Sequence, residues 1–492
     1  MKRLAIISAL FLAVLWSLSM IPPALAAYSS HQNDQDINNF LTVYPFAKST
    51  KLDDCALCHP GSADRKTGSC DYCHQTYGLQ PPHTQPVPLN SYGLAYSDAG
   101  RSKDAFGTIG GSDSDGDGKT NLEEIQALSF PGDSTDYPGL KSAPAIVLNQ
   151  ERILQLPDYS EFLLHNASKD TDWYARYRGV KVKDLLKYAG IPPEATQITV
   201  FAPDGFSKTF LIDAPDPQTP STIKYDVMGP YPYGSFYGGL DFVKYSFFPL
   251  NLLNGNQIPD KLFMLLAYLR DGDPLTKGKL VPDPANPARL VLEGEGPYRV
   301  IPPQKIAGSP DRSSNAPKVG DGWDNDPNKD HNAGSSVRSV TAIRVEPLPD
   351  GTTDFNWKEG GWNLVDQGKL VIYGAIDPRT YSVNGKVSDS SGKGIPDVKI
   401  TFGLLSLGQV GEATTLEKGG FWKGKFKIDL PAGEYTVIPS KAGCTFTPAS
   451  LSISIPNAEG DLDRDHWDQW DHWRHRDHHP GYEINITGSC TQ

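Results

Sequence analysis

The stretch CALCHPGSADRKTGSCDYCH, residues 55–74, places four of the chain's six cysteines within twenty positions. Whatever those cysteines hold decides how this part of the chain folds. Three chemistries fit the spacing: four thiolates on one zinc ion, redox-active disulfides, or covalent anchorage of two haems.

Compartment bears on the choice. The chain opens with MKRLAIISALFLAVLWSLSMIPPALAA, in which Lys2 and Arg3 precede an apolar run and Ala24-Leu25-Ala26 supplies small residues for cleavage. This reads as a secretory signal over residues 1–26, an uncleaved membrane anchor being the alternative. Either way the remainder lies outside the cytoplasm, in the periplasm, at the outer membrane or beyond it. Lys2 and Arg3 leave with the signal, so 44 of the chain's 46 basic residues stand against 58 acidic ones. A mature charge of about −14 argues against nucleic acid or anionic lipid as a partner held by charge alone.

Each cysteine pair, Cys55/Cys58 and Cys70/Cys73, is followed at once by a histidine, His59 and His74. In haem attachment two thiols add to the vinyl groups and the next histidine ligates the iron. With 11 histidines in 492 positions, both coincidences together have a chance of about one in two thousand. A zinc knuckle would leave both histidines incidental, and a thioredoxin-like site would need a flanking strand–turn–helix pattern that is not visible. Two haem c groups are therefore expected, with His59 and His74 as proximal ligands. Beyond the leader the chain retains only Met228 and Met264 as methionines, so His31 and His83, which flank the motif pair, are the candidate distal ligands. Bis-histidine ligation lacks the methionine that raises potential, so low-potential transfer to a redox protein or an extracellular acceptor follows.

Further on, DSDGDGKTNLEE places Asp113, Asp115, Asp117, the carbonyl of Lys119, Asn121 and Glu124 at positions 1, 3, 5, 7, 9 and 12 of a loop, with Gly118 at position 6. Hard oxygen donors at that spacing wrap one calcium ion. Thr120 stands where a paired EF-hand has an apolar residue, and FGTIGGS before it is a poor helix former, so the loop resembles the single loops of thrombospondin type 3 or dockerin repeats. Residues 55–135, with Cys-x-x-Cys-His, LNSYG, the acidic loop and FPGD, resemble the small secreted cytochrome modules of metal-respiring bacteria. That resemblance implies electron transfer outside the inner membrane.

Residues 141–376 mix strand-like runs such as QITVFAP and ARLVLEG with segments read as helical, VKDLLKYAG and KLFMLLAYLRDG, the pattern of an α+β domain. YRGVKVKDLLKYAGI, ITVFAPDGFSKTFLI and GPYRVIPPQKIAGS resemble the molybdopterin-binding domain of sulfite-oxidase-like enzymes, and the residues to watch would be Arg299 and the Asp204-Gly205-Phe206 turn. Those enzymes hold molybdenum through a cysteine thiolate, and no cysteine lies between Cys73 and Cys444. The domain therefore reads as a fold relic used for docking or scaffolding, the alternative being a molybdenum enzyme feeding its own haems. Residues 309–336 form a polar loop in which His331 is a solvated histidine.

From Tyr381 the chain alternates apolar and polar residues between turns, the pattern of an antiparallel β-sandwich over 380–492. It resembles carboxypeptidase-regulatory-like and transthyretin-like sandwiches, which implies a spacer or cell-surface attachment module. Cys444 and Cys490 are the remaining pair and are expected to bridge in an oxidising compartment. Residues 461–482 carry His466, His472, His475, His478 and His479 among tryptophans and aspartates, and read as a solvated insertion that could take divalent metals. The expectation is thus a multidomain chain: a small loop-rich, partly helical haem module at 27–140, an α+β domain at 141–376 and a C-terminal β-sandwich. An electron carrier is favoured over an enzyme, and a calcium-stabilised adhesion protein with a zinc knuckle is the third reading.

Overall fold

A computed structural model describes residues 35–48, 50–54, 57–58, 89–168, 172–204, 206–212, 222–223, 262–284, 286–304, 326, 330–355, 357–378, 380–404, 408–417, 419–431, 433–455 and 482–490. The architecture is multidomain and mostly β, with short helices concentrated near the N-terminus. Among the described residues no helix is long and apolar enough to cross a membrane.

The first unit packs the helices Gln35–Val43, Ser91–Asp98, Lys103–Ile109 and Asn121–Ala127. They are short, so packing rather than propensity holds them. Phe106 is the hub: its buried ring stacks on Tyr96 at 4.0 Å and 9°, meets Tyr92 at 6.2 Å, and takes the edge of Phe40 at 5.5 Å. Each such pair adds about 0.5–1.5 kcal/mol beyond area burial. Lys103–Ile109 corrects one expectation, because it forms a helix running into the acidic loop where FGTIGGS reads as non-helical. Ser102 caps it by accepting from the amide of Ala105, and Ala105, Phe106 and Ile109 are buried along one face, which outweighs the poor propensity of Gly107.

The middle unit holds two large sheets, beside the two-stranded pairs Lys279–Asp283 with Asn286–Glu293 and Lys141–Ser142 with Thr352–Thr353. One has six strands in the spatial order Ala145–Leu148, Leu370–Gly374, Ala342–Glu346, Gln197–Phe201, Ser207–Ile212 and Thr222–Ile223. The other runs Arg299–Ile301, Leu265–Arg270, Trp173–Lys181 and Asp158–His165, with Asp273–Pro274 paired beside Leu265–Arg270. The helix Val182–Ala189 packs Val182, Leu185, Leu186 and Ala189 into the core between them and ends on Gly190 at φ +78°. KLFMLLAYLRDG, read as helical, is the strand Leu265–Arg270 instead. It lies between two antiparallel neighbours and is buried over Leu265–Tyr268, so a continuous apolar run satisfies it, and periodicity alone does not separate that from a buried helix.

The third unit is a β-sandwich of two four-stranded sheets. One runs Lys425–Pro431, Thr380–Ser388, Tyr482–Cys490, Cys444–Thr447, and the other Gly408–Thr414, Lys399–Leu404, Gly433–Ser440, Leu451–Ile455. Alternation along Thr380–Ser388 sends Tyr381, Val383 and Val387 inward against Ile400, Phe402, Val437 and Ile486. The pairing is antiparallel except that Thr380–Ser388 and Tyr482–Cys490 run parallel. Cys444 and Cys490 sit opposite one another on neighbouring strands and are joined by a disulfide.

A buried polar chain joins the first unit to the second. The Lys51 ammonium meets Asp136 at 3.0 Å, the Thr353 hydroxyl at 2.9 Å and the Asp354 carbonyl at 3.2 Å. Asp354 in turn accepts from Arg344 at 2.7 Å, and Arg344 reaches Glu346 at 2.8 Å. Lys51, Asp136, Arg344 and Glu346 are all fully or nearly fully buried. Lys141–Ser142 pairs in parallel with Thr352–Thr353 at the same seam.

Candidate metal centre

The helix Asn121–Ala127 fixes one side of the acidic loop. Thr120 caps it, accepting from the amide of Glu123 while the Glu123 carboxylate accepts from the amide and hydroxyl of Thr120, a reciprocal capping box. Asn121 is buried and ties both ends of the loop: its amide nitrogen donates to the Ile109 carbonyl at 2.8 Å, and its oxygen accepts from the Ser114 amide at 3.2 Å. Gly116 and Gly118 take φ of +83° and +93°, which lets both amides point back to Asp113, at 2.7 and 2.9 Å.

Within that frame Asp113, Asp115 and Asp117 each bring a carboxylate oxygen to within 4.8 Å of the others. Both oxygens of Asp113 are engaged with the loop backbone, and one oxygen of each of the other two: Asp115 accepts from the Asp117 amide at 3.3 Å and Asp117 from the Lys119 amide at 2.7 Å. The second oxygens of Asp115 and Asp117 have no hydrogen-bond partner among the described residues. Neither oxygen of Glu124 has one, and Glu124 is completely buried. Burial first, then the charges of Asp115, Asp117, Asp136 and Asp113, push the Glu124 carboxyl up to about 9. Burial likewise raises Asp115 to about 6, whereas the amides of Gly118 and Gly116 lower Asp113. Glu124 stands outside the 4.8 Å cluster of the three aspartates but within reach of their charge, and a buried carboxylate with both oxygens open is costly there unless a cation neutralises it. The donors are all oxygens, which suits a hard divalent cation such as calcium.

The same core reaches the first cysteine pair. The Asn90 amide donates to the Cys58 carbonyl at 2.9 Å, the Asn90 side chain donates to the Leu57 carbonyl at 3.1 Å, and its oxygen accepts from the Gly93 amide at 2.8 Å. A Cβ on Gly93 would stand 2.1 Å from the Cys58 carbonyl oxygen, so that position admits only glycine. The LNSYG motif thus grips the backbone of Cys58, which is half-buried against the Phe106 core. Cys55, His59, Cys70, Cys73, His74, His31 and His83 lie outside the described residues, as do residues 1–26 and the histidines of 461–481.

In the middle unit the Asp204 turn closes a hairpin: the Phe206 amide donates to the Asp204 carboxylate at 3.1 Å and the Ala202 amide to the Phe206 carbonyl at 2.8 Å. Burial raises the Asp204 carboxyl to about 6, partly offset by that Phe206 amide. Arg299 is buried, paired with Glu295 and set over the Trp173 ring at 6.0 Å. Arg299 and Asp204 lie in one polar region, since both act on the Arg338 charge. His331 is partly buried and precedes the short turn Asn332–Ser335.

Sequence reasoning passed over His165. It is fully buried, 2.7 Å from the Ser336 hydroxyl, 3.5 Å from both Arg299 and the Tyr177 hydroxyl, and edge-on to Trp173 at 4.4 Å. Burial, then Arg299 and Arg270, hold it well below the usual histidine range, so it is neutral and part of the packed interior. The only signal in the sequence is a histidine closing the apolar strand Asp158–His165, which does not reveal partners far along the chain.

No family model matches the chain, and no curated protein matches it. Three solved structures are similar in part. The Bacillus anthracis TIE protein is 13% identical with a TM-score of 0.17, over 41% of this chain and 27% of that protein. The group B streptococcus pilus 2b backbone protein is 8% identical at a TM-score of 0.17, over 71% and 94% of the two chains. The T6 backbone pilin of serotype M6 Streptococcus pyogenes is 9% identical at 0.14, over 63% and 51%. This chain thus spans about a quarter of the TIE protein's length.

Proposed function

We propose that this chain is an extracytoplasmic electron carrier with two covalently attached haems, whose N-terminal module is stiffened by one calcium ion. Cys55, Cys58, Cys70 and Cys73 are the thioether anchors, His59 and His74 the proximal ligands, and His31 and His83 the distal ones. Each haem, when bound, supplies a reversible one-electron iron couple. The middle unit, a sulfite-oxidase-like α+β domain without the thiolate, serves as a platform, and the sandwich attaches the protein at the cell surface or to a partner. The partners are a redox protein or an extracellular acceptor.

The observation that carries this reading is the grip of Asn90 and Gly93 on the Cys58 backbone. It holds Cys58, the second cysteine of the first Cys-x-x-Cys-His motif, against the same aromatic core that supports the acidic loop, through Phe106 and the Ile109–Asn121 hydrogen bond. Calcium would be held by Asp113, Asp115, Asp117, the Lys119 carbonyl, Asn121 and Glu124, with Glu124 as the buried anchor.

The deciding measurement is haem content by pyridine haemochrome on protein matured in an oxidising compartment. Two haems per chain are expected. A value near zero, with bound zinc, overturns the proposal in favour of a zinc knuckle.

A further inference from the structure

At one end of the sandwich, a loop joins Gly408–Thr414 to Lys425–Pro431 and projects its apolar side chains into solvent. Phe421 is 75% exposed and Trp422 56%, the two highest values among the exposed large apolar side chains. Leu416, at the base of the loop, is 42% exposed. Such residues scattered singly mean little, but two adjacent aromatics at a loop tip form a patch.

The tip is held outward by the backbone. The Leu416 amide donates to the Lys425 carbonyl at 2.8 Å, and the Gly424 amide donates back to the Leu416 carbonyl at 2.9 Å. Gly420 and Gly424 take φ of +69° and +76°. Gly394 and Gly424 press so close to neighbouring backbone that a Cβ would stand 1.9 Å from the Lys423 carbonyl and 2.4 Å from the Val387 carbonyl. The loop is therefore locked to the turn around residues 388–395, and Phe421 and Trp422 cannot fold back onto the sheet without breaking it.

Charge at this end runs against the rest of the molecule. The chain as a whole carries −12, yet Lys386, Lys393, Lys423, Lys425 and Lys441 gather here, against Asp389, Asp397 and Glu417. Lys386 and Lys441 donate to the backbone carbonyls of Gly392 and Pro396, which leaves their charge uncancelled. Asp389 accepts from the Ser391 amide and hydroxyl and the Lys393 amide at the surface, where its charge offsets one lysine of the group and leaves the others in excess. The Lys425 ammonium lies 3.1 Å from the Phe421 ring centre and 5.1 Å from that of Trp422, binding cation and aromatics into one unit.

We infer that this end of the sandwich docks on the surface of an anionic lipid bilayer, with Phe421 and Trp422 inserted at headgroup level and the lysines on the phosphates. The two rings stand side by side at the tip, 5.5 Å apart and both largely exposed, so one headgroup layer can take both at once. Aromatics set beside lysines, with rings that bury while the ammonium stays at the polar layer, match the two demands of that interface.

The test is co-sedimentation of the full haem-loaded chain with phosphatidylcholine vesicles, with and without phosphatidylglycerol. Roughly tenfold stronger binding to the anionic vesicles is expected, falling as salt rises. The pair Phe421→Ser with Trp422→Ser, and separately Lys423→Glu with Lys425→Glu, should each lose that binding, with far-UV dichroism unchanged because these side chains are surface groups. Leu154→Ser, an exposed apolar residue elsewhere, should leave it intact. Equal binding to both vesicle types overturns the inference. So does binding retained by the serine pair, or binding to dextran sulfate that the serine pair keeps, which would mark a polyanion site instead.

Discussion

The ammonium of Lys51 sits 3.0 Å from the carboxylate of Asp136, with both side chains sealed from solvent where the helical unit meets the middle sheets. Asp136 also accepts from the Phe130 amide at 3.1 Å, so one carboxylate anchors the segment after the acidic loop and receives the cation that reaches Thr353 and Asp354. Removing one partner of a buried pair leaves the other charge uncompensated, at about 3–5 kcal/mol. Lys51→Met should therefore lower the unfolding free energy of the helical unit, read from denaturant titration, by that order and expose the seam to proteolysis near residue 140. A wild-type cleavage pattern would show that the seam holds without the pair.

The difference in stability between Glu124→Gln and the wild type should change sign when calcium is added. In chelator, the substitution removes a buried carboxylate that has no hydrogen-bond partner among the described residues, so the variant should melt higher than wild type. With calcium at about a hundred times its dissociation constant, the wild type should gain about 2.7 kcal/mol while the variant gains little. Differential scanning calorimetry in both conditions checks this.

Gly93→Ala should impair cofactor attachment rather than merely soften the fold. The new methyl would lie 2.1 Å from the Cys58 carbonyl oxygen, a backbone atom that cannot move aside cheaply. About 1–3 kcal/mol of overpacking is expected, with a fall in haem per chain measured by the pyridine haemochrome band.

Asp204 gives a pH dependence with a defined sign. Its folded carboxyl is raised to about 6 by burial, above the ordinary value of 3.8. Below that ordinary value the folded state keeps its full stability from this group, and stability is lost as pH rises toward and through about 6. Asp204→Asn keeps the oxygen that accepts from Phe206 and cannot ionise, so it should flatten the dependence. Its advantage should reach about 1–3 kcal/mol by pH 7 in urea titrations.

Reduction of the Cys444–Cys490 bridge, which closes a separation of 46 residues, should lower the sandwich's stability by up to about 4 kcal/mol. Thermal melts with and without a thiol reductant measure it. The transition of the helical unit should not move with it.

How far the sequence announced this molecule depends on how local each signal is. The cluster of Asp113, Asp115 and Asp117 was legible because the three carboxylates lie within five consecutive positions, whereas the hold of Asn90 and Gly93 on Cys58 was not, since more than thirty residues separate them. The sandwich was legible because strand alternation recurs between turn residues. KLFMLLAYLRDG was not, since a run that is apolar on every side suits a buried strand as well as a helix. His165 was illegible for another reason: Ser336 and Arg299, which define its setting, are more than a hundred residues away.

The seam also sets an order of assembly. Lys51 and Thr353 are 302 positions apart, so the contact forms only once the middle sheets exist to present Thr353. Contacts within the helical unit span far fewer residues and close sooner. The cysteine-bearing segment therefore passes through a stage in which its own core is built but its flank is still open. In that interval Asn90 already holds the backbone of Leu57 and Cys58, while Thr353 and Asp354 are not yet in place to receive Lys51.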